Sequence, residues 1–104
     1  MDKKKQFEGI TQEMLSLYKR KNADYGDSFS ESFKEFGMTM PLIRLSDKLN
    51  RLKRLAKADA QVKGENIEDT LIDLANYAVM TLIEVRGSKP TISFESDGET
   101  FKNE

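Results

Sequence analysis

Three cationic side chains recur at helical spacing in the middle of the chain and could bind phosphate. Arg44, Lys48 and Arg51 are four and three residues apart, so on a helix they share one face, beside a leucine seam and next to Asp47. Arginine binds phosphate through paired hydrogen bonds and lysine binds it as a point charge, which suits an oligophosphate. A solvated basic face, with Asp47 paired to Arg51, explains the same spacing. We treat the three cations as candidate phosphate ligands.

A polar strip follows on a later, otherwise apolar segment. Asp69, Asp73 and Asn76 are four and three residues apart, with Tyr77 alongside. Two carboxylates one turn apart can present oxygen ligands to Mg²⁺, which is usually shared with substrate phosphates. The alternative for Asp69 is a capping box with Asn66, and this explanation does not extend to Asp73 beyond the first turn. We predict Asp69 and Asp73 as magnesium ligands, and Asn76 and Tyr77 as ligand-binding residues.

A cluster of Asn, Asp, Gly and Ser at residues 21–28 interrupts the helical period and predicts an ordered loop. Its glycine permits close backbone approach, its aspartates can turn the chain or bind a ligand, and Tyr25 offers a ring that can stack on a base. The alternative is an ordinary turn between helices with Tyr25 packed in the core. The predicted ligand-binding residues of this loop are Lys21, Asn22, Asp24, Tyr25, Gly26 and Asp27.

The elements that position these residues are predicted to be helices throughout the first 87 residues. Apolar spacing predicts helices at 7–22, 29–36, 39–58 and 66–87, with Gly37 ending the second and the polar segment 59–65 preceding the fourth. The fourth helix is apolar around most of its circumference, so it is buried centrally or in an oligomer interface. The fold class is therefore all-α, a small bundle of three long helices and one short helix.

The chain divides into a helical nucleotide-binding domain at 1–87 and a C-terminal tail at 88–104. The Asp97–Gly98 pair in the tail favours a β-hairpin, although a disordered tail fits the composition equally well. A chain of 104 residues holds one core and is only marginally stable alone, so we expect a homo-oligomer.

Composition excludes several classes of site and partner. The chain has no cysteine and no histidine, which rules out thiolate or imidazole zinc sites, Cys–His pairs and a Ser–His–Asp triad. A net charge of -1 gives no general attraction to nucleic acid or to an acidic membrane, and we expect neither as a partner. With no leader and no long apolar run, the expected location is the cytoplasm.

Three segments, at 21–29, 43–52 and 68–78, occur in an order that resembles the nucleotide modification associated domain 1 family, frequent in phages and prophages. The resemblance spans roughly residues 7 to 86 and implies a role in nucleotide metabolism or DNA-base modification. The last segment is also distantly similar to the MazG-like all-α nucleoside triphosphate pyrophosphatases, which hold magnesium with acidic residues on two helices. In that comparison Asp47 stands on the first acidic helix, but Asn50 replaces its second acid.

The leading interpretation is a nucleotide-binding protein, in the host cytoplasm if phage-encoded, with magnesium as a candidate cofactor. If it is an enzyme, the resemblance implies pyrophosphate release from a nucleoside triphosphate, with Asp47, Asp69 and Asp73 as the catalytic candidates. Without histidine, carboxylates are the remaining general bases near neutral pH. Two alternatives stay open: a non-catalytic protein that sequesters a nucleotide second messenger of host defence, and a structural oligomeric adaptor.

Overall fold

Four helices account for the architecture. A computed structural model describes residues 2–25, 27–57 and 60–88, and within these ranges the side chains of 24, 25 and 60–66 are outside the description. The helices are α1 (Lys3–Tyr25), α2 (Ser28–Phe36), α3 (Thr39–Leu55) and α4 (Ala60–Ser88), and no residue of these ranges lies in a strand. This confirms the predicted all-α bundle of three long helices and one short helix.

The long helix α4 contacts each of the other three helices. Helix α3 makes the most extensive contact with it, α1 lies on another of its sides, and the short α2 contacts both α3 and α4. Lys21 of α1 pairs with Asp73, whereas the earlier residue Met14 contacts the later residue Asn76, so α1 and α4 run antiparallel. Three helices therefore present side chains toward one stretch of α4, around residues 70–81.

The junction between α2 and α3 follows the sequence prediction. Gly37 ends α2 with a φ of 64°, a left-handed conformation that glycine adopts without a Cβ clash. Its N–H donates to the carbonyl of Phe33 at 2.7 Å. Helix α3 begins at Thr39, and Pro41 lies in its first turn, where a missing N–H costs no helical hydrogen bond.

The predicted loop at residues 21–28 is wrong for its first five residues. The backbone from Lys21 to Tyr25 belongs to the last turns of α1, and only Asp27 is described as a turn residue before α2 begins at Ser28. Asn and Asp each lower helix stability by less than about 0.7 kcal/mol, which a long, packed helix tolerates. Gly26 and the side chains of Asp24 and Tyr25 lie outside the described residues, so the predicted role of Tyr25 stays a prediction.

The predicted start of the fourth helix is also wrong. Helix α3 ends at Leu55, and α4 begins at Ala60, so Asn66 lies inside the helix instead of capping it. A single interior Gly64 costs only about 1 kcal/mol relative to Ala, too little to stop a helix of this length. The capping explanation for Asp69 therefore fails, because that residue lies more than two turns into α4.

Little of the described chain is buried. The buried apolar side chains among the described residues are Phe29 and Met40, joined by Pro41, Thr70 and Thr81. Helix α4 is not buried centrally in the single chain, because several of its large apolar side chains are about half exposed. No described helix combines the length and apolar character needed to cross a membrane. The predicted hairpin or disordered tail lies outside the described residues, from 89 onward.

Candidate functional site

A cavity of about 290 Å³ opens where α1, the start of α2, α3 and α4 meet. It is open to solvent on one side and combines charged, amide and aromatic side chains. The side chains that line it are Leu17, Tyr18, Lys21, Asn22, Ser28, Phe29, Arg44, Asp73, Asn76, Tyr77 and Met80.

Asp73 joins the cationic residues of two other helices at this cavity. Its Oδ2 lies 3.0 Å from Nζ of Lys48 on α3, and its Oδ1 lies 3.7 Å from Nζ of Lys21 on α1. The side chains of Lys48 and Asp73 are 27% and 24% exposed, whereas that of Lys21 is 57% exposed. Partial burial strengthens the Lys48–Asp73 attraction relative to a fully solvated pair. One carboxylate on α4 thus holds two ammonium groups near the cavity.

Tyr77, one turn after Asp73 on α4, forms an aromatic wall of the same cavity together with Phe29. Its ring and that of Phe29 are stacked, with centroids 6.1 Å apart and planes inclined by 19°. The guanidinium carbon of Arg44 lies 5.7 Å from the Tyr77 centroid, within the range of a cation–π contact. The cavity therefore places flat aromatic surface beside a guanidinium group.

Asn76 links α4 to α1 beside the cavity. Its Nδ2 donates to the backbone carbonyl of Met14 at 3.2 Å, which ties α4 to α1. One turn along α4, the hydroxyl of Thr81 donates to the carbonyl of Tyr77 at 2.6 Å and is buried. The first contact fixes α4 relative to α1, and the second lies within α4 beside the cavity residue Tyr77.

Six of the predicted site residues line the cavity: Lys21, Asn22, Arg44, Asp73, Asn76 and Tyr77. Lys48 does not line the cavity, but it forms an ion pair with the cavity residue Asp73. Arg51 instead donates from Nε to the hydroxyl of Thr70 at 3.2 Å, and Thr70 is 2% exposed. Asp27 is exposed at the start of α2 and does not line the cavity. The cationic stripe of α3 thus serves three different contacts.

The three predicted catalytic carboxylates do not come together. Asp47 lines a separate shallow groove on α3, with Ser46 and Ile43, and Asp69 is exposed and does not line the cavity. Within the described residues, no group of three or more acidic side chains is close enough to hold a metal ion. Both oxygens of Asp73 face ammonium groups. This donor set does not fit a three-carboxylate magnesium site, and magnesium as a cofactor stays a prediction.

Five lining residues were not predicted: Leu17, Tyr18, Ser28, Phe29 and Met80. Leu17 and Tyr18 lie three and four residues before Lys21, so they share its helix face, and this spacing was the signal that could have identified them. Phe29 repeats with Phe33 at helical spacing and indicates core packing from the sequence alone. Only the fold shows that its ring also meets Tyr77.

Comparison with known protein families gives a match. The sequence profile of the family described as nucleotide modification associated domain 1 matches residues 21–85, which is more than half of the chain. Neither the curated proteins nor the solved structures contain a match to the chain. The matched region begins at Lys21 and contains every predicted site residue as well as most of the cavity lining. The chain therefore belongs to the nucleotide modification associated domain 1 family.

Proposed function

We propose that the cavity binds a nucleotide, with its phosphates at Lys21 and Arg44 and its base against the aromatic wall of Tyr77 and Phe29. One observation carries this proposal: two cations and a stacked aromatic pair, supplied by all four helices, line the same cavity. A phosphate needs positive charge and N–H donors, and a base needs a flat apolar surface. A nucleotide needs both at one site.

The local charge supports an anionic ligand. Lys21 and Lys48 pair with Asp73, and Arg44 lines the same cavity, so these four ionised groups sum to an excess of positive charge. The chain as a whole carries a net charge of -1, so this excess is local. Anionic ligands are thus attracted to the cavity and not to the surface in general.

The size of the cavity supports a small ligand. Its volume of about 290 Å³ lies at the lower end of ligand pockets, which run from roughly 300 to 1,000 Å³. A mononucleotide fits such an open cavity with part of its surface left in solvent. We therefore expect modest affinity for the single chain, because a half-exposed ligand gains less from burial.

The family gives the setting of the proposal. Its description refers to nucleotide modification, which supports nucleotide metabolism or DNA-base modification as the process served. Asp73 is the one carboxylate among the lining residues, and it is paired with two lysines. A paired carboxylate is poorly placed to deprotonate water, so we favour binding over hydrolysis. Pyrophosphate release, sequestration of a nucleotide messenger and an adaptor role are distinguished by experiment.

Isothermal titration calorimetry with a panel of nucleoside mono-, di- and triphosphates and cyclic dinucleotides, with and without Mg²⁺, tests this proposal. Arg44→Ala removes a charged donor, so we expect binding to weaken by about ten- to a hundredfold. Arg54→Ala is the matched control, since Arg54 is an exposed arginine of the same helix that does not line the cavity. Equal affinity for both variants, or no binding of any panel member to the unmodified protein, contradicts the proposal.

The same mixtures report on turnover. Recovery of intact nucleotide after prolonged incubation with Mg²⁺ supports a binding protein. Release of pyrophosphate that disappears in Asp73→Asn supports the pyrophosphohydrolase interpretation. An adaptor role is supported if no nucleotide binds and yet the apolar surfaces of the protein mediate assembly.

A further inference from the structure

Helix α4 carries a partly exposed apolar face between residues 71 and 82. Leu71, Val79 and Leu82 are 49%, 47% and 47% exposed, although each has a large apolar side chain. Leu71, Ala75, Ala78 and Leu82 are spaced by four, three and four residues, the spacing of a seam between two packed helices. We call these five residues the α4 seam.

The helices of the same chain leave the α4 seam free because they pack on the opposite side of α4. The contacts of α4 to α1, α2 and α3 include those made by Thr70, Asp73, Asn76 and Tyr77. At about 100° per residue, these four positions lie on the side of the helix opposite the seam. The described part of the chain thus leaves about half of the surface of the large seam side chains exposed.

Two opposite charges mark the ends of this face. Glu68 lies before the first seam residue and Arg86 after the last, and both are exposed. The two positions are eighteen residues apart, which corresponds to five full turns, so both side chains point in the same direction, about 27 Å apart. The midpoint between them is position 77, which is also close to the midpoint of the seam.

We propose that the α4 seam binds the same face of a second copy of this chain, with the two helices antiparallel about a two-fold axis near position 77. In this arrangement Glu68 of each copy lies opposite Arg86 of the other, which forms two equivalent ion pairs. A parallel arrangement would instead place Glu68 against Glu68 and Arg86 against Arg86. The charges therefore select the antiparallel orientation.

The small residues at the centre of the seam allow the two helices to approach closely. Ala75 and Ala78 lie on either side of the axis, while Leu71 and Leu82 flank them. Antiparallel packing then places each Leu71 near Leu82 of the other copy, which buries apolar surface that the single chain leaves in water. This burial supplements a core in which Phe29 and Met40 are the buried apolar side chains among the described residues.

The dimer and the nucleotide cavity use different sides of α4. Asp73, Asn76 and Tyr77 line the cavity, and none of them belongs to the α4 seam. The cavity stays open in the dimer, so the dimer proposal does not depend on nucleotide binding. Failure of one proposal leaves the other intact.

A charge exchange on the full chain tests the orientation. Light scattering after size-exclusion chromatography at micromolar concentration should give twice the 11.9 kDa mass of one chain. Glu68→Arg and Arg86→Glu each place like charges opposite each other at both ends, so each should raise the dimer dissociation constant at least about tenfold. The double variant E68R/R86E should restore dimerisation, because the opposite charges face each other again. Circular dichroism checks that each variant keeps its helices.

Disulfide cross-linking tests the register. The chain has no cysteine of its own, so only the introduced cysteine can form a disulfide. Ala78→Cys places two thiols next to the two-fold axis, where mild oxidation should join the chains in a disulfide. Leu71→Cys places its two thiols about 18 Å apart along the antiparallel helices, too far for the Cα separation below about 7 Å that a disulfide requires. We therefore expect a covalent dimer from the first variant and not from the second.

Three results overturn the proposal. A monomeric mass for the unmodified chain shows that the seam does not bind a second copy. Failure of E68R/R86E to recover dimerisation shows that the two charges do not face each other. Efficient cross-linking of Leu71→Cys shows a parallel pair.

Discussion

Replacing Asp73 with asparagine separates the phosphate-binding interpretation of the site from the metal-binding one. The amide is nearly the same size as the carboxylate but carries no charge. Lys21 and Lys48, at 3.7 and 3.0 Å from its oxygens, thereby lose their shared partner. If the cavity binds phosphate, Asp73→Asn removes a repulsive charge and tightens binding. If Asp73 holds magnesium, the same change weakens binding.

The size of the effect follows from the distances. A phosphate in contact with Lys21 on the side away from Asp73 lies about 7 Å from the carboxylate. At that separation two unit charges repel by about 0.6 kcal/mol at a dielectric constant of about 80 and about 2.4 kcal/mol at about 20. We therefore expect Asp73→Asn to tighten binding of a nucleoside triphosphate by about threefold to fiftyfold. The loss of the half-buried Lys48–Asp73 pair should lower the free energy of unfolding by about 1 kcal/mol.

Titration calorimetry in EDTA measures this change directly, well below the melting temperature of both proteins. Asp69→Asn is the control for loss of one negative charge, because Asp69 is exposed one turn away on the same helix and does not line the cavity. It should change the affinity less than Asp73→Asn does. Weaker binding by Asp73→Asn in EDTA would falsify the charge argument. Equal affinity in EDTA with a loss only when Mg²⁺ is present would identify Asp73 as a metal ligand.

Three further predictions test parts of the fold and the site. Gly37→Ala should lower the free energy of unfolding by about 1 kcal/mol in a denaturant titration, because Gly37 has a φ of 64°, whereas Gly9→Ala inside α1, where a Cβ meets nothing within 4 Å, should raise it. Thr70→Val should cost about 1–3 kcal/mol, since it leaves Nε of Arg51 without this hydroxyl, and an unchanged melting temperature contradicts the contact. Tyr77→Leu should weaken nucleotide binding while Tyr77→Phe retains it, and equal losses would show that the hydroxyl matters instead of the ring.

Helical periodicity was sufficient to predict the fold class and the helices in the middle of the chain, α2 and the start of α3. The end of α2 depends on one glycine with a positive φ, and the start of α3 on a proline in its first turn, so both boundaries follow from local chemistry. The start of α4 does not follow in this way. Asn66 is a residue type that often caps helices. A cap stabilises a helix by only about 1 kcal/mol, so packing and helix length decide where α4 begins.

The candidate site was predicted by residue type but not by arrangement. Spacing identified Arg44, Lys48 and Arg51 as one stripe, yet their partners are Tyr77, Asp73 and Thr70, three different groups on α4. Which side chain meets which depends on how α3 crosses α4, and spacing within one helix contains no information about that crossing.

The pairing of Asp73 with Lys21 is another case that sequence spacing could not predict, because it joins residues from helices far apart in the chain. The acidic stripe of α4 predicts a metal site, which stays a prediction, and spacing gave no sign that Asp73 pairs with two ammonium groups. Phe29 was missed for the same reason, since its contact with Tyr77 exists only after α2 packs on α4.

Backbone amide chemical shifts, followed by NMR during titration with a nucleoside triphosphate, test nucleotide binding in the cavity most directly. We predict saturable shifts concentrated at residues 17–22, 28–29, 44 and 73–80, the segments that line the cavity. Residues 68, 71 and 82, on the opposite face of α4, should move little. Shifts confined to the groove around Asp47, or no saturable shifts anywhere with any nucleotide of the panel, would contradict a nucleotide site between these helices.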